Sequence, residues 1–174
     1  YLFDKAISES KNKNSTSQSE KRLIIYFHGG GFVLGNLDSH DDICAEICAA
    51  TGYELLSVAY RLAPEHPHPA SFEDALLASR LLIAKTDFPV ILCGDSAGGN
   101  LAAAVVHTLR SETESIIGQL LIYPSLGPNT GRGSYERHAQ APMLTSKDIK
   151  FYLESRCGQK ADNILPDKTL FPLL

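Results

Sequence analysis

Gly94-Asp95-Ser96-Ala97-Gly98 forms a G-x-S-x-G run directly after the apolar stretch Val90-Ile91-Leu92-Cys93. The small and apolar residues Gly99-Asn100-Leu101-Ala102-Ala103-Ala104-Val105 follow and suit a helix. A serine at the apex of a strand, turn and helix is lifted clear of the sheet, with its hydroxyl free to attack a carbonyl carbon. Gly94 and Gly98 flank Ser96 because a Cβ at either place is expected to strike the adjoining strand or helix. Ser96 is therefore the candidate nucleophile, and Gly94, Asp95 and Gly98 are the candidate turn residues. The same pattern occurs in plain glycine–serine loops, so the flanking strand and helix carry the functional reading.

A second glycine run, His28-Gly29-Gly30-Gly31-Phe32, follows the apolar stretch Leu23-Ile24-Ile25-Tyr26-Phe27. Consecutive glycines leave backbone N–H groups unshielded, and such donors stabilise charge that develops on an oxygen. A Walker loop would end in G-K-[ST], whereas this run ends in Gly31-Phe32-Val33. A dinucleotide fingerprint needs G-x-G-x-x-G, a spacing that Gly31 and Gly35 do not supply. Paired with a nucleophile elbow, an H-G-G-G run reads as an oxyanion hole; taken alone, a flexible glycine turn is the alternative.

With both runs in place, the sequence resembles α/β-hydrolases of the hormone-sensitive-lipase-like group, and within it the bacterial acetyl esterases and carboxylesterases. The stretches that carry the resemblance are His28-Gly-Gly-Gly-Phe-Val-Leu-Gly-Asn-Leu-Asp-Ser-His40, Tyr60-Arg-Leu-Ala-Pro-Glu65, Phe72-Glu-Asp-Ala75 and Gly94-Asp-Ser-Ala-Gly-Gly99. They stand in the family's order, and the likeness is strongest over residues 23–123. The resemblance implies an α/β-hydrolase fold that hydrolyses short-chain, acetyl-like esters through an acyl-enzyme on Ser96. It implies an oxyanion hole of Gly29, Gly30, Gly31 and Ala97, in which Gly30, Gly31 and Ala97 donate and Gly29 shapes the turn. His28 is implied to orient that loop rather than to act as base. A small-molecule ester is the implied partner, with no cofactor and no metal. A non-catalytic ligand-binding relative with a broken triad, and an amidase on the same elbow, are the alternatives.

A serine hydroxyl needs a base, and this fold places nucleophile, acid and histidine in that order along the chain. Only His107 and His138 follow Ser96. No acidic residue separates Ser96 from His107, which falls in the helix that the elbow launches. His138 is preceded by Glu112, Glu114 and Glu136, none of them in a recognisable setting. In the resembling family the acid lies in a D-P-L-x-D-like segment and the histidine in an H-x-F-like one. Neither occurs before Phe171-Pro172-Leu173-Leu174. The expectation is a single partial domain over residues 1–174 that lacks the last strands and helices of the fold and is almost inactive alone.

The elements that must position these residues alternate. Strands are expected at 23–27, 54–59, 89–93 and 116–123, and helices at 38–51, 70–85 and 97–109. That order predicts a doubly covered, mostly parallel sheet. The first helix is expected to be capped by Asp38 or Ser39, to bury Ile43, Ile47 and Ala50, and to stop at Gly52. Residues 2–7 suggest an early strand and residues 8–22 a polar, mobile loop. Residues 61–69 are a proline-rich loop, and residues 125–140 are expected to be irregular. An amphipathic helix is expected at 145–157, with Ile149, Tyr152 and Leu153 on one side. By resemblance, residues 125–160 form a cap or substrate-pocket insertion; from its pattern alone the 145–157 helix reads equally as an ordinary surface helix. Phe32, residues 125–143 and the 145–157 helix are the candidates to line the acyl pocket.

Composition bounds the rest. A hydrophobic share of 44% with 21% charged residues over 174 positions supports one globular unit with a true core. A net charge of −4 without a basic stripe argues against nucleic acid. No apolar run reaches the length of a membrane span. Cys44, Cys48, Cys93 and Cys157 make no disulfide framework, and the first two are expected to pack as small apolar groups rather than as a metal pair. Such usage fits a reducing, cytoplasmic setting. His66 and His68, in the proline-rich loop, are expected to be surface residues rather than metal ligands. Tyr1 is not a natural start, so the N-terminus is expected to be incomplete. The oligomeric state is open, a homodimer included.

Overall fold

All five residues of the strand Leu23–Phe27 (β2) are buried, as an apolar run covered on both faces requires. Glu54–Val58 (β3) and Val90–Asp95 (β4) flank it, both parallel to it. Ile116–Ile122 (β5) extends the sheet in parallel beyond β4. At the other edge Leu2–Phe3 (β1) pairs antiparallel with β3, giving the order β1-β3-β2-β4-β5. The computed structural model describes residues 2–3 by their backbone, and residues 21–128 and 131–174 in full. Most of the expected strand at 2–7 and of the expected loop at 8–22 lies outside the described residues.

Helices cover both faces. Asp41–Thr51 (α1) places Cys44 and Cys48 against Ile24, Tyr26, Leu55 and Cys93. On the other face Ala70–Ile83 (α2) and Ala97–Leu109 (α3) contribute Phe72, Ala75, Leu101 and Val105 to a core with Ile25, Phe27 and Leu92. Alternation along β2 thus sends successive side chains to opposite cores. The thiols pack as small apolar groups, as expected; burial pushes Cys44 up to about 11 and Cys93 up to about 12, so both stay protonated.

Several expectations need correction. The first helix does not begin at residue 38. Asp38–His40 form a tighter 3-10 turn, His40 stands at the N-cap, and neither Asp38 nor Ser39 caps α1. Ser39 is instead engaged with Asn36, whose Oδ1 accepts the Ser39 N–H at 2.8 Å and whose N–H donates to Ser39 Oγ at 2.9 Å. Ile43 and Ala50 are exposed, because the face turned to the sheet is the Cys44–Cys48 stripe with Ile47 beside it. Gly52 does end the helix, in the left-handed conformation at φ 72°. Residues 125–140 are not wholly irregular, since Ser134–Arg137 form one helical turn (α4). The last helix, Ser146–Cys157 (α5), starts from a capping box in which the Thr145 hydroxyl accepts the Asp148 N–H and Asp148 accepts the Thr145 N–H.

The register of the sheet positions the site. Phe27 of β2 lies opposite Gly94 of β4, so the residues after Phe27 emerge beside Asp95 and Ser96. From these neighbouring strand ends the chain departs to opposite faces, to α1 after β2 and to α3 after β4. Such a divergence opens a crevice at the C-terminal edge of a parallel sheet, where open α/β sheets bind their ligands.

Candidate active site

β4 runs two residues further than expected and takes in Gly94 and Asp95. Ser96 follows at φ 50° and ψ −112°, a region that residues with a side chain rarely occupy, and Ala97 opens α3. The turn is this sharp because backbone lies directly against it. A Cβ on Gly98 would collide with the Phe27 carbonyl oxygen, and one on Gly94 would come within 2.7 Å of that oxygen. Both flanking glycines therefore meet the clash that their place in the sequence anticipates. The Ser96 N–H donates to the Ile122 carbonyl at 2.8 Å, which fixes the apex to β5.

The second glycine run wraps around the end of β2. The Gly30 carbonyl accepts from the N–H groups of Val33 and Leu34, at 3.1 and 2.8 Å, which closes it into a tight turn. The Gly29 N–H donates to His40 Nε2 at 3.3 Å, so Gly29 holds the loop's shape and has no free donor. Among the described residues the N–H groups of Gly30, Gly31 and Ala97 find no acceptor. A Cβ added to Gly29 would strike the Asp95 carboxylate, so the loop and the elbow are in direct contact.

Polar side chains brace this junction from below. Tyr60, after β3, donates its hydroxyl to the His28 carbonyl at 2.6 Å and stacks on the His28 ring at a centroid distance of 4.3 Å. His28 Nδ1 lies 2.7 Å from the Gly29 carbonyl, to which it donates. Burial lowers the His28 pKa, and nearby His40 lowers it further, so the ring is neutral. Its Nδ1 bond ties the ring to the first glycine of the loop. Asp95 Oδ1 accepts from the Tyr26 hydroxyl at 2.8 Å and lies 3.4 Å from His40 Nε2. Burial and then the bond to Asp95 raise the Tyr26 pKa, so the phenol remains a donor.

α5 lies over the same loop. A Cβ at Gly31, whose φ is 63°, would run into the Tyr152 ring. Arg156 is buried with its guanidinium 3.5 Å from the centroid of the Phe32 ring. Burial lowers its pKa to about 9, and the Leu170 and Thr169 carbonyls, both at 3.4 Å, accept from its terminal nitrogens. Phe32, a candidate pocket wall, is thus turned into the core beneath Arg156.

Neither downstream histidine reaches Ser96. His107 is in the last turn of α3, about 16 Å along the helix axis at 1.5 Å per residue. His138 ends α4, exposed, with its N–H on the Ser134 carbonyl at 2.9 Å. His66 is exposed as expected, but His68 is not a surface residue. It packs under the C-terminal segment with Nε2 3.2 Å from Thr169 Oγ1. Among the described residues no three metal-ligating side chains gather. No helix among them is long and apolar enough to cross a membrane. His40, Tyr60, Tyr26 and Arg156 are the supporting residues that sequence reasoning left without a role. His40 and Tyr60 stand at the ends of motif stretches, and their position there was the available signal.

A family model described as the α/β hydrolase fold matches residues 24–173. Esterase LipI of Mycobacterium tuberculosis is 38% identical over 149 residues, covering 82% of this chain and 47% of that protein. Ethyl acetate hydrolase of Pseudomonas putida is 32% identical over 159 residues, covering 87% and 49%. The structure of a hyperthermophilic esterase from Pyrobaculum calidifontis superposes with a TM-score of 0.81 at 31% identity, covering 88% of this chain and 53% of its own. The chain spans about half the length of the curated relatives it matches.

Proposed function

Since the chain belongs to the α/β-hydrolase fold family, we propose that it carries the nucleophile and oxyanion hole of a serine carboxylesterase acting on short acyl esters. Ser96 Oγ attacks the ester carbonyl carbon as its hydroxyl proton passes to a base, which in the resembling family is a histidine. The carbonyl oxygen becomes an oxyanion that accepts from the N–H groups of Gly30, Gly31 and Ala97. Ala97 also opens a helix of 13 residues, whose positive dipole end favours the same negative charge. The alcohol leaves with the proton, and water then hydrolyses the acyl-serine. α5, with Tyr152 over Gly31, serves as a cap on the pocket. The name of the Pseudomonas relative supports an acetyl-like acyl group.

The observation that carries this reading is the strained backbone of Ser96 at the head of α3, against a loop that keeps two unused N–H donors. The test uses the full-length natural protein with p-nitrophenyl acetate, butyrate and laurate. Ser96→Ala is expected to lower turnover at least about 10³-fold, as loss of a catalytic serine does. A fluorophosphonate probe is expected to label Ser96, located by peptide mass spectrometry. Undiminished hydrolysis by the variant, or label on another residue, refutes the assignment.

A further inference from the structure

His40 stands between the glycine loop and the elbow, and one of its ring nitrogens faces both. Its Nδ1 lies 2.8 Å from Ser39 Oγ. That hydroxyl already spends its hydrogen on the Asn36 carbonyl, at 2.9 Å, so the contact is an Nδ1–H donated to oxygen. The neutral ring therefore carries its proton on Nδ1 and presents a lone pair at Nε2. Nε2 accepts the Gly29 N–H at 3.3 Å, while Asp95 Oδ1 stands 3.4 Å away on the other side. A bare nitrogen and a carboxylate oxygen gain nothing from each other. Without that nitrogen the Gly29 N–H is left with no acceptor among the described residues.

We infer that His40 is a positioning residue of the oxyanion loop: its Nε2 accepts the Gly29 N–H and ties that turn in place beside the elbow. The inference rests on the esterase reading above. The other titratable rings facing His40 are His28, at 5.5 Å between centroids, and Tyr26, at 6.4 Å, both on or next to β2. His28 is held neutral and Tyr26 protonated by burial, and neither ring takes the Gly29 N–H, which goes to His40. Released at Gly29, the loop no longer holds Gly30 and Gly31 where the transition state needs their N–H groups. The effect falls on kcat more than on KM, since an oxyanion exists only after attack.

The test measures kcat and KM at neutral pH in the full-length protein, with p-nitrophenyl acetate, for the natural enzyme, His40→Ala and His40→Asn. His40→Ala is expected to lower kcat about tenfold or more at neutral pH with KM little changed, short of the 10²–10³ that loss of a donor costs. His40→Asn offers a carbonyl oxygen to Gly29 and is expected to restore much of the loss. Independently of activity, the Gly29 amide resonance is expected to move in His40→Ala, where its acceptor is gone, and to return towards its natural position in His40→Asn. A Ser96-dependent enzyme indifferent to both substitutions overturns the inference and leaves the esterase reading intact. So does a loss of kcat that only tracks the loss of folded protein in thermal unfolding. A natural protein without Ser96-dependent hydrolysis sinks the esterase reading instead, and the Gly29 resonance then decides whether His40 anchors the loop.

Discussion

Ser96 holds a backbone conformation, φ 50° and ψ −112°, that costs roughly 1–3 kcal/mol unless its surroundings impose it. The surroundings here are two carbonyl groups, Phe27 and Gly94, packed against glycines that leave no room for a methyl group. Gly98→Ala is therefore expected to push α3 away from β2 and misplace the serine. A displacement near 1 Å costs about 10²-fold in rate, measured as kcat of the full-length variant. Folded protein with unaltered kcat would show that the close approach is dispensable. The buried histidines make a second residue-scale prediction. Burial holds the pKa of His28 and His68 below the ordinary value of 6.5, aided at His68 by Arg156. Below about pH 6.5 the unfolded chain binds protons at these rings that the folded chain refuses, so stability is expected to fall as pH drops through that value. Asp74 and Asp167 are held below their usual 3.8 and enter only at lower pH, so the two windows separate. The urea midpoint between pH 7.5 and 5.5 reads the histidine window. His68→Gln is expected to flatten part of it, and an identical slope in the variant assigns the effect elsewhere.

At the scale of elements, α5 matters because it is the helix laid over the glycine loop, with Tyr152 on Gly31 and Arg156 on Phe32. Its start rests on the reciprocal bonds between Thr145 and Asp148. Thr145→Ala is expected to cost about 1 kcal/mol in chemical denaturation, the usual loss on removing an N-cap hydroxyl. If α5 caps the pocket, the same variant also raises KM for the longer acyl chains more than for acetate. The hydrogen bonds from Thr145 hold the Asp148 carboxyl below its usual range, so the cap weakens only as pH falls through the folded value. No change in denaturation midpoint on Thr145→Ala would show that tertiary contacts alone hold the helix end. The element boundaries at α3 and α5, which the sequence foretold to within one residue, have strong local signals: a glycine pair at the elbow and a capping box. The start of α1 was misjudged because the Asn36–Ser39 bonds compete locally for the groups that would have capped it.

At the scale of the molecule, the sheet is covered on both faces at β2, β3 and β4 but not at β5, where Ile117 and Leu120 are 49% and 53% exposed, with Tyr123 just beyond it 74% exposed. An apolar strand at a sheet edge is a template for pairing with another chain. The polypeptide of residues 1–174 expressed alone is expected to self-associate there, and Leu120→Lys to reduce that association in light scattering. A monodisperse parent at tens of micromolar removes the premise. The sequence alone determined the elbow, the glycine loop, the order of strands and helices and the family they indicate, because each rests on neighbours in the chain or on their periodicity. The tertiary structure alone decided which of these residues meet. Phe27 lies opposite Gly94, Tyr60 reaches back across 32 positions to His28, and Tyr26 across 69 to Asp95. It also turned Phe32 inward under Arg156 and put the Gly29 N–H on His40. These depend on strand register and on loops folding back over the sheet edge. A hydrogen bond between distant residues leaves no trace in local composition, whereas a helix, a strand or a turn writes its pattern along the chain itself.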